Sequence, residues 1–279
     1  MSGPTYGQRR GAGIGLIVAL IIAAISIFRY FGSSSVNPTT GEKQRTGGIT
    51  PRQEIALGLQ AAPEMIRQYG GAGGDARGQA LVDRVGQQLL AGSDLKNSPY
   101  PYQFHLLNDN RTINAFALPG GQVFITRALL QRLKTEGQVA GVLGHEMAHV
   151  AGRHSAEQLA KQQLTQGLTG AAVMASYDPE NPNSRNTAAV AAAIGQLVNL
   201  KFSRNDEVES DRLGVRFMSQ AGYDPRGMIG VMQVLKAAAG GGRTPEFFAT
   251  HPNPENRIPR IEEAIREQFP EGVPNGLRK

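Results

Sequence analysis

The sequence predicts an α+β fold that is mainly α-helical, with a small, mostly antiparallel sheet and one N-terminal transmembrane helix. Three observations support this prediction: several long segments carry apolar residues at helical spacing, a single region between residues 102 and 126 is β-prone, and a charge-free apolar run lies near the N-terminus. With 279 residues and 40% hydrophobic content, the chain can bury one core of domain size. We therefore expect one folded unit at residues 50–279, preceded by shorter segments.

The composition limits the chemistry that the chain can perform. Cys is absent, which excludes disulfides, thiolate metal ligands and a cysteine nucleophile. Any bound metal ion must therefore be held by His, Glu or Asp. The formal net charge of +6 is spread along the chain without a dense basic run. This pattern is typical of a solvated surface, and no nucleic-acid partner is expected.

The N-terminal segment has the pattern of a membrane anchor. Residues 1–10 are polar and include Arg9 and Arg10. Within residues 11–31, an uncharged run extends to Phe28 and is followed by Arg29, Tyr30 and Phe31. This predicts a transmembrane signal anchor at 11–31, with residues 1–10 in the cytoplasm and the domain on the periplasmic side of the inner membrane. A cleaved secretory signal, which would leave a soluble periplasmic protein, is the alternative. Residues 32–49, rich in Ser, Thr, Gly and Pro, are expected to form a flexible linker.

The elements of the domain follow in order from caps, breakers and periodicity. The first helix begins with Thr50 as its N-cap and Pro51 at its first position. A second helix at 76–90 precedes strands at 102–107, 114–118 and 122–126, and the last two strands are expected to form a hairpin. A short helix at 127–133 leads to a long one, capped by Thr135 and running to about Gln166. Further helices are expected at 167–176, 188–200, 205–221, 226–239 and 258–269, with a polar loop at 177–187.

The stretch Gly144 to Val150 contains an H-E-x-x-H sequence within a predicted helix. Residues one helical turn apart share a face, so His145 and His149 can bind one metal ion while Glu146 projects beside it. This spacing is typical of a hydrolytic zinc site. The alternative is an amphipathic helix whose two histidines are satisfied in a core. His154 lies off the shared face, and we expect it to be a surface residue or an outer neighbour of the site.

A catalytic zinc site needs a third protein ligand and one open position. The predicted helix after Ser203 supplies candidates, since Glu207 and Asp211 are one turn apart. One of these carboxylates can bind the metal while the other accepts the free N–H of a ligand histidine. Spacing alone also allows Asp206 or Glu209 as the third ligand. We expect one zinc ion (Zn²⁺) per chain.

Four stretches resemble the membrane-associated zinc metallopeptidase family of HtpX, the CAAX prenyl proteases and the periplasmic proteases of the BepA and LoiP type. They are Asn114 to Gly121, Gly144 to Val150, Ser203 to Gly214, and Thr250-His251-Pro252 with Arg257. The resemblance implies a minimal zincin-like metalloprotease domain. It also implies that Glu207 is the third zinc ligand and that Asp211 lies in the shell behind it.

The resemblance also suggests roles for His251, and the chemistry of the site and the position of the strand suggest roles for the remaining residues. His251 is either a latch on the open metal position or, with Arg257, a stabiliser of the transition state. Glu146 is expected to be the general base. The strand formed by Asn114, Ala115, Phe116, Ala117 and Leu118 is expected to bind an extended polypeptide through its edge.

These roles predict a zinc-dependent endopeptidase that hydrolyses misfolded or misassembled envelope proteins. Its expected partners are unfolded or misfolded polypeptides and, through the N-terminal anchor, the membrane; the sequence does not predict an oligomeric state. The rival interpretations are a non-catalytic, chaperone-like binding module on the same fold and a protein with a purely structural zinc ion.

Overall fold

The computed structural model of the chain describes residues 8–175, 201–240, 244–252 and 257–279. The loop predicted at 177–187 and the helix predicted at 188–200 lie outside these residues. The described part is mainly helical and contains two small sheets. This confirms the predicted α+β class.

The chain begins with helix α1 (Gln8–Gly32), followed by a two-stranded antiparallel hairpin of β1 (Ser34–Val36) and β2 (Lys43–Arg45). The prediction of a flexible linker at 32–49 is therefore wrong. The reason is that polar side chains of this stretch have fixed partners on the domain. Asn37 is buried, and its amide nitrogen donates to the carbonyl oxygen of Ala151 at 2.7 Å.

The helix predicted at 11–31 is present within α1. Across the portion of the chain that the structure describes, no helix combines the length and the apolar character needed to cross a membrane. The transmembrane placement of this segment stays a prediction.

Outside residues 135–176, the helices of the domain agree closely with the predicted ones. The described helices of the domain are α2 (Pro51–Gln68), α3 (Ala76–Gly92), α4 (Arg127–Leu130), α5 (Glu136–Ala151), α6 (His154–Ala175), α7 (Arg204–Gln220), α8 (Gly227–Ala239), α9 (Phe247–Thr250) and α10 (Arg257–Gln268). The predicted caps are confirmed, because the side chains of Thr50 and Thr135 accept hydrogen bonds from the backbone N–H groups of Gln53 and Gln138.

The main sheet contains β3 (Gln103–Leu107), β4 (Ala115–Leu118) and β5 (Gln122–Thr126) in the spatial order β3-β5-β4. The predicted β4–β5 hairpin is confirmed as antiparallel. The prediction of a mostly antiparallel arrangement is wrong for the other pair, because β3 runs parallel to β5. The connection at 108–114 carries the chain past the position that β5 takes, so the last strand lies in the middle. As a result, β4 lies at an edge of the sheet.

The long helix predicted to run to Gln166 is instead two helices, α5 and α6, separated by Gly152 and Arg153. Arg153 has a φ of +60°, in the left-handed region that L-residues rarely adopt. Its guanidinium binds the buried carboxylate of Glu54 at 2.8 Å and 2.6 Å, which holds the turn in place. The turn directs α6 away from the axis of α5 and brings His154 behind His149.

Helix α5 is the centre of the fold, and 14 of its residues are buried. It packs against α3, α7, α8 and β4. Helix α7 comes closest at Gly214, where an added Cβ would lie 3.3 Å from the backbone nitrogen of His145 and 2.5 Å from Cε of Met228. This close approach lets short carboxylate side chains on α7 reach the histidines on α5.

Candidate active site

His145 and His149 lie one turn apart on α5 and are both buried. Their Nε2 atoms point toward the same place and are 3.1 Å apart. The predicted convergence of the two imidazoles is therefore present in the structure. The alternative of two separately satisfied core histidines fits less well, because a glutamate carboxylate also lies within 3.5 Å of both ring nitrogens.

Glu207 reaches the two imidazoles from the first turn of α7. Its carboxylate oxygens lie 3.3 Å from Nε2 of His149 and 3.5 Å from Nε2 of His145. The other two candidates point elsewhere. Asp206 closes the N-terminal capping box with Ser203, and Glu209 lies 3.6 Å from His154. The structure therefore brings Glu207, and neither of its neighbours, to the pair of histidines.

Asp211 and Arg257 lie behind this cluster. Oδ1 of Asp211 is 2.9 Å from Nδ1 of His145, where it can accept the ring N–H. Arg257 donates two hydrogen bonds to the Asp211 carboxylate, at 2.8 Å and 2.7 Å, and its Nη1 lies 3.1 Å from Oε2 of Glu207. The arginine is buried between these two carboxylates. This placement fits charge balance of the ligand set better than the predicted contact with a transition state.

His251 joins the cluster from the segment after α9. Its Nδ1 lies 3.0 Å from Oε1 of Glu207 and 3.4 Å from Nε2 of His145, and its Nε2 lies 3.6 Å from Oε1 of Glu146. The ring stacks on Phe247 at a centroid distance of 4.3 Å. Ligand atoms of His145, His149, Glu207 and His251 all lie within 4.8 Å of one another.

The donor set fits a zinc ion. Tetrahedral zinc with ligand bonds of about 2.0–2.1 Å places neighbouring ligand atoms about 3.3 Å apart. The separations between the two Nε2 atoms and the Glu207 oxygens lie between 3.1 and 3.5 Å. Oε2 of Glu207 makes no hydrogen bond within the described residues, although it lies 3.1 Å from Nη1 of Arg257. A cation between the two Nε2 atoms and this carboxylate would further compensate its buried charge.

The electrostatic environment separates the roles of the ionisable groups. Burial raises the pKa of the Glu146 carboxyl. A general base must hold a proton transiently, and a raised pKa suits this role. Burial also acts to raise the pKa of Glu207, but the charge of His251 and hydrogen bonds from three histidines hold it well below its usual value. Burial lowers the pKa of His149, which favours the neutral imidazole that binds metals. For His145, hydrogen bonds with Asp211 and Glu207 outweigh burial and raise the pKa to about 9.

A cavity of about 360 Å³ opens beside β4 and next to the cluster. Phe202 forms part of its wall and stacks on His149 with a centroid distance of 3.9 Å. The other lining residues include Met65, Tyr69, Asn114, Phe116, Ala117, Leu118, Glu246, Ala249 and Thr250. The strand predicted to bind substrate therefore borders a cavity whose wall includes Phe202, the ring that stacks on His149.

Sequence reasoning missed two groups of contacts around the site. Tyr69 donates a hydrogen bond to the Glu246 carboxylate, and Asn114 donates to both at 3.2 Å and 3.3 Å. These three residues come from distant parts of the chain, and no local pattern links them. His154 is buried, with its Nδ1 2.9 Å from Nδ1 of His149, so it is the expected outer neighbour of the site, and the alternative of a surface position is wrong. The spacing of His154 from His149 did not indicate their contact, because the turn at Arg153 changes the direction of the helix axis.

A helical H-E-x-x-H segment joined by a glutamate from a second helix defines the metallopeptidase class. Residues 76–265 match the model of Peptidase family M48. The chain belongs to this family.

Several known proteins are similar to the chain. The β-barrel assembly-enhancing protease of Escherichia coli (strain K12) is 30% identical over 261 residues, which cover 87% of this chain and 50% of that protein. The mitochondrial metalloendopeptidase OMA1 of Schizosaccharomyces pombe is 37% identical over 187 residues, or 67% of this chain and 52% of that protein. The metalloprotease YcaL of Escherichia coli (strain K12) is 28% identical over 240 residues, or 80% of this chain and 91% of that protein. The chain thus spans about half the length of the first two relatives.

Proposed function

We propose that the protein is a zinc-dependent endopeptidase. The observation that carries this proposal is the convergence of two imidazoles and one glutamate oxygen, with the carboxylate of Glu146 3.6 Å from the fourth group, His251. Membership of a peptidase family and the names of the relatives support the same activity.

The residues divide the work of peptide hydrolysis. His145, His149 and Glu207 would hold the zinc ion, while Asp211 fixes the ring of His145. When bound, zinc supplies Lewis-acid polarisation of a water and of a peptide carbonyl. Glu146 takes the proton from the attacking water and returns it to the leaving amine, a role that its buried position and raised pKa support.

The location of β4 supports a polypeptide substrate. An extended chain can pair with an edge strand through main-chain hydrogen bonds. In this mode, recognition depends more on the substrate backbone than on its side chains. β4 lies at the sheet edge and borders the cavity beside His149. We therefore propose that the substrates are misfolded or misassembled envelope proteins, since unfolded chains offer extended segments. One relative is named as a protease that enhances β-barrel assembly, and this name agrees with a role in the cell envelope.

Residues 244–252 are proposed to regulate access to the site. Nδ1 of His251 lies 3.0 Å from Glu207, so this residue fills the fourth corner that a substrate carbonyl or water needs. In this closed arrangement His251 acts as a latch, and turnover requires the segment to move away.

The decisive experiment compares the unaltered chain with Glu146→Gln in a casein-cleavage assay, alongside metal analysis. We expect one zinc ion per chain in both proteins and a loss of cleavage of roughly 10²- to 10⁴-fold in the variant, because only the base is removed. Glu262→Gln, on the exposed surface of α10, is the matched control and should cleave normally. A Glu146→Gln protein that cleaves as well as the control would overturn the proposed mechanism. Absence of cleavage by every form would favour the non-catalytic binding module.

We also propose that α1 anchors the protein in the inner membrane, with the domain on the periplasmic side. Large apolar side chains on this helix are exposed, including Ile17, Leu20, Ile21, Ile25 and Phe28. Such a surface is stable in lipid and unfavourable in water. Alkaline carbonate extraction of membranes should leave the full chain in the pellet, whereas Leu20→Asp combined with Ile25→Asp should release it. Release of the unaltered chain would contradict the anchor and would fit a cleaved signal.

A further inference from the structure

The ring of His154 meets the rear of a proposed zinc ligand. Its Nδ1 lies 2.9 Å from Nδ1 of His149, and the two rings are nearly perpendicular, at 82°. Nε2 of His149 faces His145 and Glu207 on the opposite side of the ring. The contact therefore involves the one nitrogen of His149 that faces away from the cluster.

Proton counting sets the direction of this hydrogen bond. A neutral imidazole that offers its Nε2 lone pair to a metal carries its proton on Nδ1. Nδ1–H of His149 must then donate, and Nδ1 of His154 must accept through its own lone pair. His154 in turn carries its proton on Nε2, which has no hydrogen-bond partner among the described residues and lies 3.6 Å from Oε2 of Glu209. The three side chains form a series from a half-buried carboxylate to the buried site.

The two histidines on α5 thus have parallel arrangements. Nδ1 of His145 is 2.9 Å from the carboxylate of Asp211, which Arg257 holds from the other side. Nδ1 of His149 is supported by an imidazole that itself faces a carboxylate. Partners of this kind fix the tautomer and the orientation of a ligand ring, and their removal lowers metal affinity by about 10- to 100-fold.

We propose that His154 is a positioning residue for His149, and that the turn at Gly152 and Arg153 places it there. This inference rests on the proposed zinc site. Two features of the turn support it. Arg153, with its left-handed φ, separates α5 from α6 directly before His154. Gly152 lies so close to the ring that an added Cβ would be 2.4 Å from Nε2 of His154.

The test measures zinc affinity of the full chain by competition with a chelator of known affinity. His154→Leu removes the acceptor at similar volume and should weaken zinc binding about 10- to 100-fold. His154→Asn places an oxygen the same number of bonds from the backbone as Nδ1, and it should restore most of the affinity. Gly152→Ala keeps every polar group and should weaken binding by displacing the ring. His105→Leu, in β3, is the matched control and should bind zinc normally.

A second measurement needs no substitution. In the zinc-loaded chain with ¹⁵N-labelled histidine, we expect His149 to be protonated at Nδ1 and His154 to be unprotonated at Nδ1. A proton on Nδ1 of His154 would overturn the inference even if the His154→Leu protein failed to fold. So would equal zinc affinity of the unaltered, Leu and Asn forms. If the unaltered chain binds no zinc, the proposed function itself fails; if it binds zinc and His154→Leu binds equally well, only the role of His154 fails.

Discussion

At the scale of single residues, the site depends on charges that are buried and paired. Arg257 lies between Asp211 and Glu207, and Arg153 is paired with Glu54. A buried charge that loses its partner costs several kcal/mol, so these pairs constrain the structure more than exposed pairs of the same type. The two arginines have different tasks. Arg257 balances carboxylates of the site, and Arg153 stabilises a backbone turn.

Arg153 provides a test of how the turn is held. Arg153→Ala should lower the free energy of unfolding by about 3–5 kcal/mol, because the Glu54 carboxylate loses its buried partner. Arg153→Gly loses the same pair but relieves the left-handed backbone, so it should be more stable than the Ala variant by about 1 kcal/mol. Urea unfolding followed by circular dichroism gives both values. Arg260→Ala, exposed on α10, is the control, and equal stability of the Ala and Gly variants would show that the backbone conformation contributes nothing.

Residue patterns explain why part of the site was predictable. The positions of His145 and His149 follow from helical geometry, which is local. Spacing alone left the choice of Glu207 over Asp206 and Glu209 open, because it cannot show which side of α7 faces α5, and only the resemblance to the metallopeptidase family selected Glu207. The contact of His154 was not predictable, since it depends on a left-handed residue that a salt bridge to the distant Glu54 holds in place.

At the scale of elements, the segment at 244–252 is fixed to the rest of the domain by a few polar contacts. Glu246 accepts hydrogen bonds from Tyr69 on α2 and from Asn114 beside β4. The backbone N–H of Phe247 donates to the carbonyl of Ile113, and that of Phe202 donates to the carbonyl of Thr250. These contacts hold the segment over the cavity, with His251 in the cluster.

Weakening these contacts should favour the open state. Glu246→Gln removes a charged acceptor, and hydrogen bonds to charged groups contribute about 1.5–3 kcal/mol. We expect casein cleavage to rise several-fold in Glu246→Gln and in Tyr69→Phe, toward the rate of His251→Ala. The measurement is kcat for casein, with Glu262→Gln as the control. Lower activity in His251→Ala would instead assign this histidine to transition-state stabilisation, and unchanged activity would exclude both roles.

The elements also show which parts of the fold a sequence can predict. The caps at Thr50 and Thr135 and the β4–β5 hairpin depend on neighbouring residues, and they were predicted correctly. The parallel pairing of β3 with β5 joins strands that are not neighbours in sequence, and the β1–β2 hairpin is fixed on the domain by the distant contact of Asn37 with Ala151. Local patterns carry no information about such contacts, and the predictions were wrong at both places.

At the scale of the whole molecule, the proposed ligands come from α5, from α7 and from the segment after α9. A metal ion bound to all of them would link these elements and stabilise the folded state by mass action. Zinc at 100 times its dissociation constant would contribute about 2.7 kcal/mol. For a domain of this size, this corresponds to a rise in Tm of about 5–10 °C.

Calorimetry of the full chain with zinc and with an excess of EDTA measures this effect. We expect the higher Tm with zinc, and we expect Glu207→Gln to lose most of the difference because a ligand from a second helix is missing. An identical Tm in zinc and in EDTA would contradict a metal ion that bridges the helices.

The division of the ligands between two helices also has a consequence for newly made copies of the protein. Before α5 and α7 have packed against each other, the two histidines and the glutamate are far apart along a coil and no hydrolytic centre exists. A copy that is still unfolded is therefore harmless to its neighbours, even though it resembles the material that the mature protein is proposed to destroy. Gly214, by admitting the close contact between the two helices, makes their packing a condition for the proposed activity.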